Sequence, residues 1–169
     1  MKKVNFVSES VNLSEIDKSI ELEKLYKSLE EVLLFTQDKT VKMVTINSLV
    51  KHYLPYAYWV GFYLLKKDRL IIGPYQGTLG CLSIDIGKGV CGRVAKTKQT
   101  IIVDDISNLL EGIDHITCDN NAKSEIALPV FDKNKKLIAV LDIDSSIKSS
   151  FTVLDRFWLE KILNRHFSL

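Results

Sequence analysis

The chain has 169 residues, of which 46% are hydrophobic and 26% charged, a balance suited to one domain around one well-buried core. Its formal net charge is only +2, with both signs mixed along the sequence, so the positive footprint that holds a polyanion is missing and nucleic acid is not an expected partner. The longest mostly apolar run, Tyr56 to Leu65, is about half the roughly 20 residues a membrane-spanning helix needs, so no membrane is expected either.

Met1-Lys2-Lys3 opens with positive charge, but Val4 to Asp17 is too polar for a signal-peptide core. Ser14 with Asp17 resembles a capping box, and Ile16, Ile20, Leu25, Leu29, Val32 and Leu33 recur at near-helical spacing, which predicts a long opening helix. A second helix is predicted from about Lys39 to Tyr53, ended by Pro55, with Val44, Leu49 and Val50 among its buried residues. The periodicity then changes. Tyr58 to Leu65, Arg69 to Ile72 and Gly80 to Ile84 are short, aromatic or β-branched, and separated by turn residues, so they predict an antiparallel meander. Gly89 to Lys96 reads as a short helix, Thr100 to Val103 as a strand, and Asp104 to Asp119 as a loop long enough to be functional. Ser124 to Phe131 and Lys136 to Ile143 predict a final strand pair around a solvated tip carrying Lys133, Lys135 and Lys136, a charge run with no function assigned. Thr152 and Asp155 cap a closing helix with Val153, Leu154, Phe157, Leu159 and Ile162. The expected fold is α+β: a central antiparallel sheet at about 58–144, with N-terminal helices at about 14–53 and a C-terminal helix at about 152–167 packed on it, all in one domain over 1–169. Its ligand pocket should lie between sheet and loop.

Thiols and carboxylates mark the chemistry. Three cysteines, Cys81, Cys91 and Cys118, show no paired spacing, which argues against a disulfide-stapled secreted domain and for thiols kept reduced in the cytoplasm. Asp142 and Asp144 alternate onto one face of the last strand after the apolar run Leu137 to Leu141. Taken alone, Asp144 before Ser145-Ser146 reads as a turn cap. Joined by Glu125 on a neighbouring strand, the pair becomes a cluster of like charges whose pKa values rise, suited to holding a cation or donating a proton. Gly87-Lys88-Gly89-Val90-Cys91-Gly92 matches a dinucleotide fingerprint in its glycines, but Asp104 and Asp105 follow too early for the ribose-binding acid. Two readings of that turn stand level: a helix N-terminus that, with Lys88, favours the Cys91 thiolate, or a turn packed by a small buried residue. His115 and Cys118 lack an accompanying Cys-x-x-Cys pair, so no metal site is expected. Trp59 and Tyr63, four apart on one strand, share a face and by composition are core residues.

Six segments occur in order: Trp59-Val-Gly-Phe-Tyr63, Gly73-Pro-Tyr-Gln-Gly77, Gly87-Lys-Gly-Val-Cys-Gly92, His115-Ile-Thr-Cys-Asp119, Ser124-Glu-Ile-Ala-Leu-Pro129 and Val140-Leu-Asp-Ile-Asp-Ser145. Together they resemble the free methionine-R-sulfoxide reductases, single GAF-domain enzymes, over roughly Tyr58 to Asp155. The resemblance implies a six-stranded antiparallel GAF sheet and reduction of free L-methionine R-sulfoxide to methionine, with thioredoxin as external reductant and no bound cofactor. It assigns Cys118 as the nucleophile, with Cys81 or Cys91 resolving it through an intramolecular disulfide. It also assigns Glu125, Asp142 and Asp144 to an acidic pocket that holds the ligand's ammonium or protonates the departing oxygen, and Trp59 and Tyr63 to packing on the methyl-thioether end. A homodimer is implied by the resemblance alone. The chain departs from the family in a longer stretch between Cys91 and Cys118, around Ser107 to Glu111, and in Asn120-Asn121 where small alanines are usual.

Two rival readings make different demands. A GAF domain that only binds a small molecule predicts dispensable cysteines and an attached output domain, whereas this sequence ends soon after its closing helix. A plain peroxide-sensing thiol protein needs no acidic pocket, and Glu125, Asp142 and Asp144 count against it.

Overall fold

The computed structural model describes residues 10–109 and 120–169. Helix α1 (Glu15–Val32) starts where the Ser14 hydroxyl oxygen accepts a hydrogen bond from the Asp17 backbone N–H at 3.1 Å, satisfying one of the donors a helix start leaves open. In α2 (Lys39–Tyr53) the Asp38 carboxylate does the same for Thr40 and Val41, at 2.8 and 3.0 Å. That helix ends at Leu54, immediately before Pro55, because the proline ring disfavours helical backbone in the residue preceding it.

Among the described residues six strands follow: β1 (Trp59–Lys66), β2 (Arg69–Gln76), β3 (Ser83–Asp85), β4 (Ile101–Val103), β5 (Ser124–Phe131) and β6 (Leu137–Ser145). They form one antiparallel sheet in the order β3-β2-β1-β6-β5-β4. The meander β1-β2-β3 and the hairpin β5-β6 are thus joined along β1 and β6, the two central strands. Short α3 (Gly89–Thr97) connects β3 to β4. The closing α4 (Val153–Leu163) begins with a full capping box between Thr152 and Asp155 and runs into a π-helical turn at Asn164–Ser168. Among the described residues, no helix is long and apolar enough to cross a membrane.

Helices cover both faces. On one, α1, α2 and α4 bury Leu22, Leu25, Ile46, Val50 and Leu159 against Val60, Phe62, Ile126, Leu128 and Leu141. On the other, α3 buries Val90, Cys91 and Val94 against Tyr63, Ala127 and Val140. Both faces of β1, β5 and β6 are covered, so these strands are apolar almost throughout.

The buried stripes of the first two helices differ from the predicted ones. Ile16, Ile20 and Val32 are solvent-facing, and the inward row of α1 is Lys18, Leu22, Leu25 and Leu29. Lys18 turns inward because its ammonium donates to the Ser150 carbonyl at 2.5 Å and to Asp155 at 3.0 Å, with the Tyr56 hydroxyl donating to the same carboxylate. A search for apolar spacing passes over a stripe that runs through a lysine. In α2, likewise, Lys42 and Asn47 are buried because they donate to the His166 and Pro74 carbonyls, at 2.7 and 2.8 Å, while Val44 faces solvent. The strand predicted at Gly80 to Ile84 shrinks to Ser83–Asp85, which leaves Gly80 to Leu82 as loop with Leu82 exposed. Val153 and Phe157 of the closing helix also point outward, whereas Leu159 and Ile162 are in the core. Lys18→Met is expected to lower stability by about 3 kcal/mol, because it leaves the fully buried Asp155 without its cation. In thermal melts that amounts to a drop of about 10 °C for a chain of this length.

Candidate active site

The site is assembled by strand register. Trp59 pairs with Asp144, Gly61 with Asp142 and Tyr63 with Val140 across β1 and β6; Glu125 pairs with Asp144 and Ala127 with Asp142 across β5 and β6. Residues opposite each other on neighbouring strands share a face. The two aromatic side chains and the three carboxylates therefore share the face that α3 covers. Asp142 has glycine on one side and alanine on the other, and the Trp59 ring fills the space over Gly61, where a Cβ would come within 2.5 Å of it.

Burial then decides protonation. Glu125 and Asp142 are only 5% and 7% exposed. Loss of water, followed by the repulsion of Asp142 and Asp144, raises the Glu125 pKa far above the usual carboxylate range, with Arg93 opposing more weakly. Desolvation pushes Asp142 up to about 6, against hydrogen bonds from Glu125 and Cys91. The pair thus carries a proton at neutral pH, as crowded carboxylates in a low dielectric must. Burial also raises the Tyr63 hydroxyl, which feels Asp142, Cys91, Asp144 and Glu125 in that order. One Asp142 oxygen, Oδ1, is buried with no hydrogen-bond partner.

A pH dependence of stability follows. The unfolded chain releases the Asp142 proton near 3.8, whereas the folded chain keeps it to about 6, so folding binds protons between those values. Stability contributed by this group is full below about pH 4 and is expected to fall, by on the order of 3 kcal/mol, as pH rises to about 6. Urea unfolding of the wild type and of Asp142→Asn over that range checks the sign: the difference between the two should shift in favour of the variant as pH rises.

Cys91 lies on the first turn of α3 with its Sγ 4.0 Å from Glu125 Oε1. A helix N-terminus favours a thiolate by about 0.3–1 kcal/mol, but here complete burial and the neighbouring Asp142 and Glu125 charges win and push the thiol pKa well up. Of the two readings of that turn, burial therefore favours the second: Cys91 is a protonated, buried residue packing the turn. The glycines of that segment have a structural cause as well. A Cβ on Gly92 would lie 2.3 Å from the Asp85 carbonyl oxygen, so the chain closes there only with glycine.

Trp59 and Tyr63 are both buried and stack at 5.9 Å between centroids with a 23° interplanar angle. Tyr75 stacks on the other side of Trp59 at 5.5 Å and 19°. Trp59 Nε1 donates to the Thr78 carbonyl at 3.0 Å, and Gly77, at φ +136°, lies so close to the indole that a Cβ would come within 2.5 Å of it. The ring thereby anchors the loop that leads into Cys81. Cys81 is disulfide-bonded, while Cys91 retains a free thiol.

Register brings Trp59, Tyr63, Glu125, Asp142 and Asp144 together, α3 adds Cys91, and the loop carrying Cys81 rests on the aromatic wall. Cys118 and His115 lie outside the described residues. Tyr75 and Arg93 were not singled out from the sequence. Tyr75 lies in Gly73-Pro-Tyr-Gln-Gly77, which carried part of the resemblance, but nothing in the sequence pattern couples Arg93 to Glu125.

The curled antiparallel sheet with helices on both faces is a GAF fold, and the GAF domain family model matches residues 45–164. Two relatives named free methionine-R-sulfoxide reductase are similar in sequence. The protein from Escherichia coli K12 is 38% identical over 72% of this chain and 71% of its own length, and the one from Saccharomyces cerevisiae is 43% identical over 62% and 58%. The chain thus spans less than two thirds of the yeast protein. An X-ray structure of free methionine-R-sulfoxide reductase from Neisseria meningitidis in complex with its substrate superposes with a TM-score of 0.82 at 30% identity, covering 97% of this chain and 96% of that one. The chain belongs to the free methionine-R-sulfoxide reductases, a family of oxidoreductases with the GAF fold.

Proposed function

We propose that this chain reduces free L-methionine R-sulfoxide to L-methionine at the face formed by β1, β5 and β6. The observation that carries this reading is the buried, proton-bearing Glu125–Asp142 pair beside the Trp59–Tyr63 wall. A sulfoxide oxygen leaves sulfur only when protonated, and a zwitterionic amino acid needs a carboxylate for its ammonium. A cluster of three acids with one shared proton supplies both. The aromatic wall packs on the methyl-thioether end.

In the proposed sequence the Cys118 thiolate attacks the sulfoxide sulfur, the protonated pair delivers a proton to the oxygen, and methionine leaves with Cys118 as a sulfenic acid. The thiol of a second cysteine then condenses with the sulfenic acid, expelling water and forming a disulfide. We assign that step to Cys81, a choice supported by its disulfide and by the buried, protonated state of Cys91. The thioredoxin dithiol returns two electrons and two protons by exchange, so the net reaction consumes sulfoxide and dithiol and yields methionine, disulfide and water. Such recycling needs a reducing compartment, which supports a cytoplasmic location.

The deciding assay follows NADPH oxidation coupled through thioredoxin and thioredoxin reductase, with free L-methionine R-sulfoxide, the S epimer and a blocked peptide form as substrates. Turnover of the free R epimer alone is expected. Absence of activity with all three, from folded protein with reduced thiols, would leave a GAF domain that only binds a small molecule.

A further inference from the structure

Cys91 has no part in the reaction proposed above, yet its thiol does not rest among apolar side chains alone. Cys91, Glu125 and Asp142 each offer one donor atom within 4.8 Å of the others, and all three are buried. Asp142 Oδ1 is, independently, a buried carboxylate oxygen without a hydrogen-bond partner. We propose that Cys91, Glu125 and Asp142 form a binding site for one borderline-soft divalent cation, of which zinc is the natural candidate.

The donor set selects the ion. A thiolate with two carboxylates belongs to the ligand types of zinc, at bond lengths of about 2.0–2.3 Å that put the donors of a tetrahedron roughly 3.5 Å apart. Side-chain rotation closes the difference from the spacing observed. Magnesium and calcium require six or more oxygens and tolerate sulfur poorly, so this site excludes them. Three protein ligands leave the fourth position for water or a small ligand. Binding displaces the Cys91 thiol proton and the proton held by the carboxylate pair, so affinity rises with pH. If the reaction proposed above is correct, the ion also occupies the carboxylates needed by the substrate ammonium and is an inhibitor.

The test needs no catalysis. Cys81→Ser/Cys118→Ser leaves Cys91 as the sole thiol, and this variant is titrated with cadmium chloride, then zinc chloride, while thiolate-to-cadmium charge-transfer absorption and proton release are followed. The expected result is a band saturating at one ion per chain, competed away by zinc and lost on adding Cys91→Ser. Asp142→Asn or Glu125→Gln should weaken binding by at least the roughly tenfold that loss of a mere outer-shell partner costs. No band from the sole-thiol protein, shown to be folded by a cooperative melt, overturns the site. Equal affinity after both carboxylate substitutions also overturns it, since the thiol would then be binding alone. Either result is independent of whether the wild type reduces methionine sulfoxide.

Discussion

Cys118→Ser is expected to abolish turnover of free methionine R-sulfoxide, with a loss of roughly 10³-fold or more, because a serine hydroxyl at neutral pH does not replace a thiolate attacking sulfur. The informative comparison is with the other two cysteines. Cys81→Ser should release one methionine per chain in a single turnover and then stall, since the sulfenic acid has lost its partner. Cys91→Ser should recycle nearly as the wild type does, because only a thiolate exchanges efficiently and this thiol is buried against two carboxylates that hold it protonated. Rapid-quench measurement of methionine per enzyme, with and without thioredoxin, separates the three. A stall in Cys91→Ser with sustained recycling in Cys81→Ser would reverse the assignment.

Asp142→Asn is expected to reduce kcat/KM by roughly 10² to 10⁴-fold, the range for removing a proton-transfer group, while the folded state is kept or strengthened near pH 8. The amide matches the carboxylate in shape and spares the fold an ionised group beside Glu125 in a site closed to water. Catalysis and stability should therefore move in opposite directions. Kinetics and thermal melts on the same samples check this, and a parallel loss of activity and melting temperature would make Asp142 a structural residue. Glu125→Gln should behave similarly, because it removes the other half of the shared proton.

Much of the frame was legible because it depends on neighbours in the sequence. The caps at Ser14 and at Thr152 with Asp155, the stop before Pro55 and the alternation that puts Asp142 and Asp144 on one face are local properties, and each appears at its predicted place. The acidic cluster was legible in part, since Glu125 lies on the strand beside β6, as read from the order of apolar runs.

What the sequence alone determined, then, is the order of elements, the alternation of faces and the family motifs. Only the tertiary structure decided that the α1 stripe passes through Lys18, because Ser150 and Asp155 are brought to it from more than 130 positions away. It alone decided that Cys91 stays protonated, because α3 lays the thiol against carboxylates from two strands and excludes water, outweighing the helix N-terminus. The register that sets Glu125 opposite Asp144, and Trp59 opposite that same aspartate, likewise arises from pairing between distant segments. Spacing along a chain reports on a residue's own helix or strand; the charge, depth and partner of a side chain are set by what packs against it.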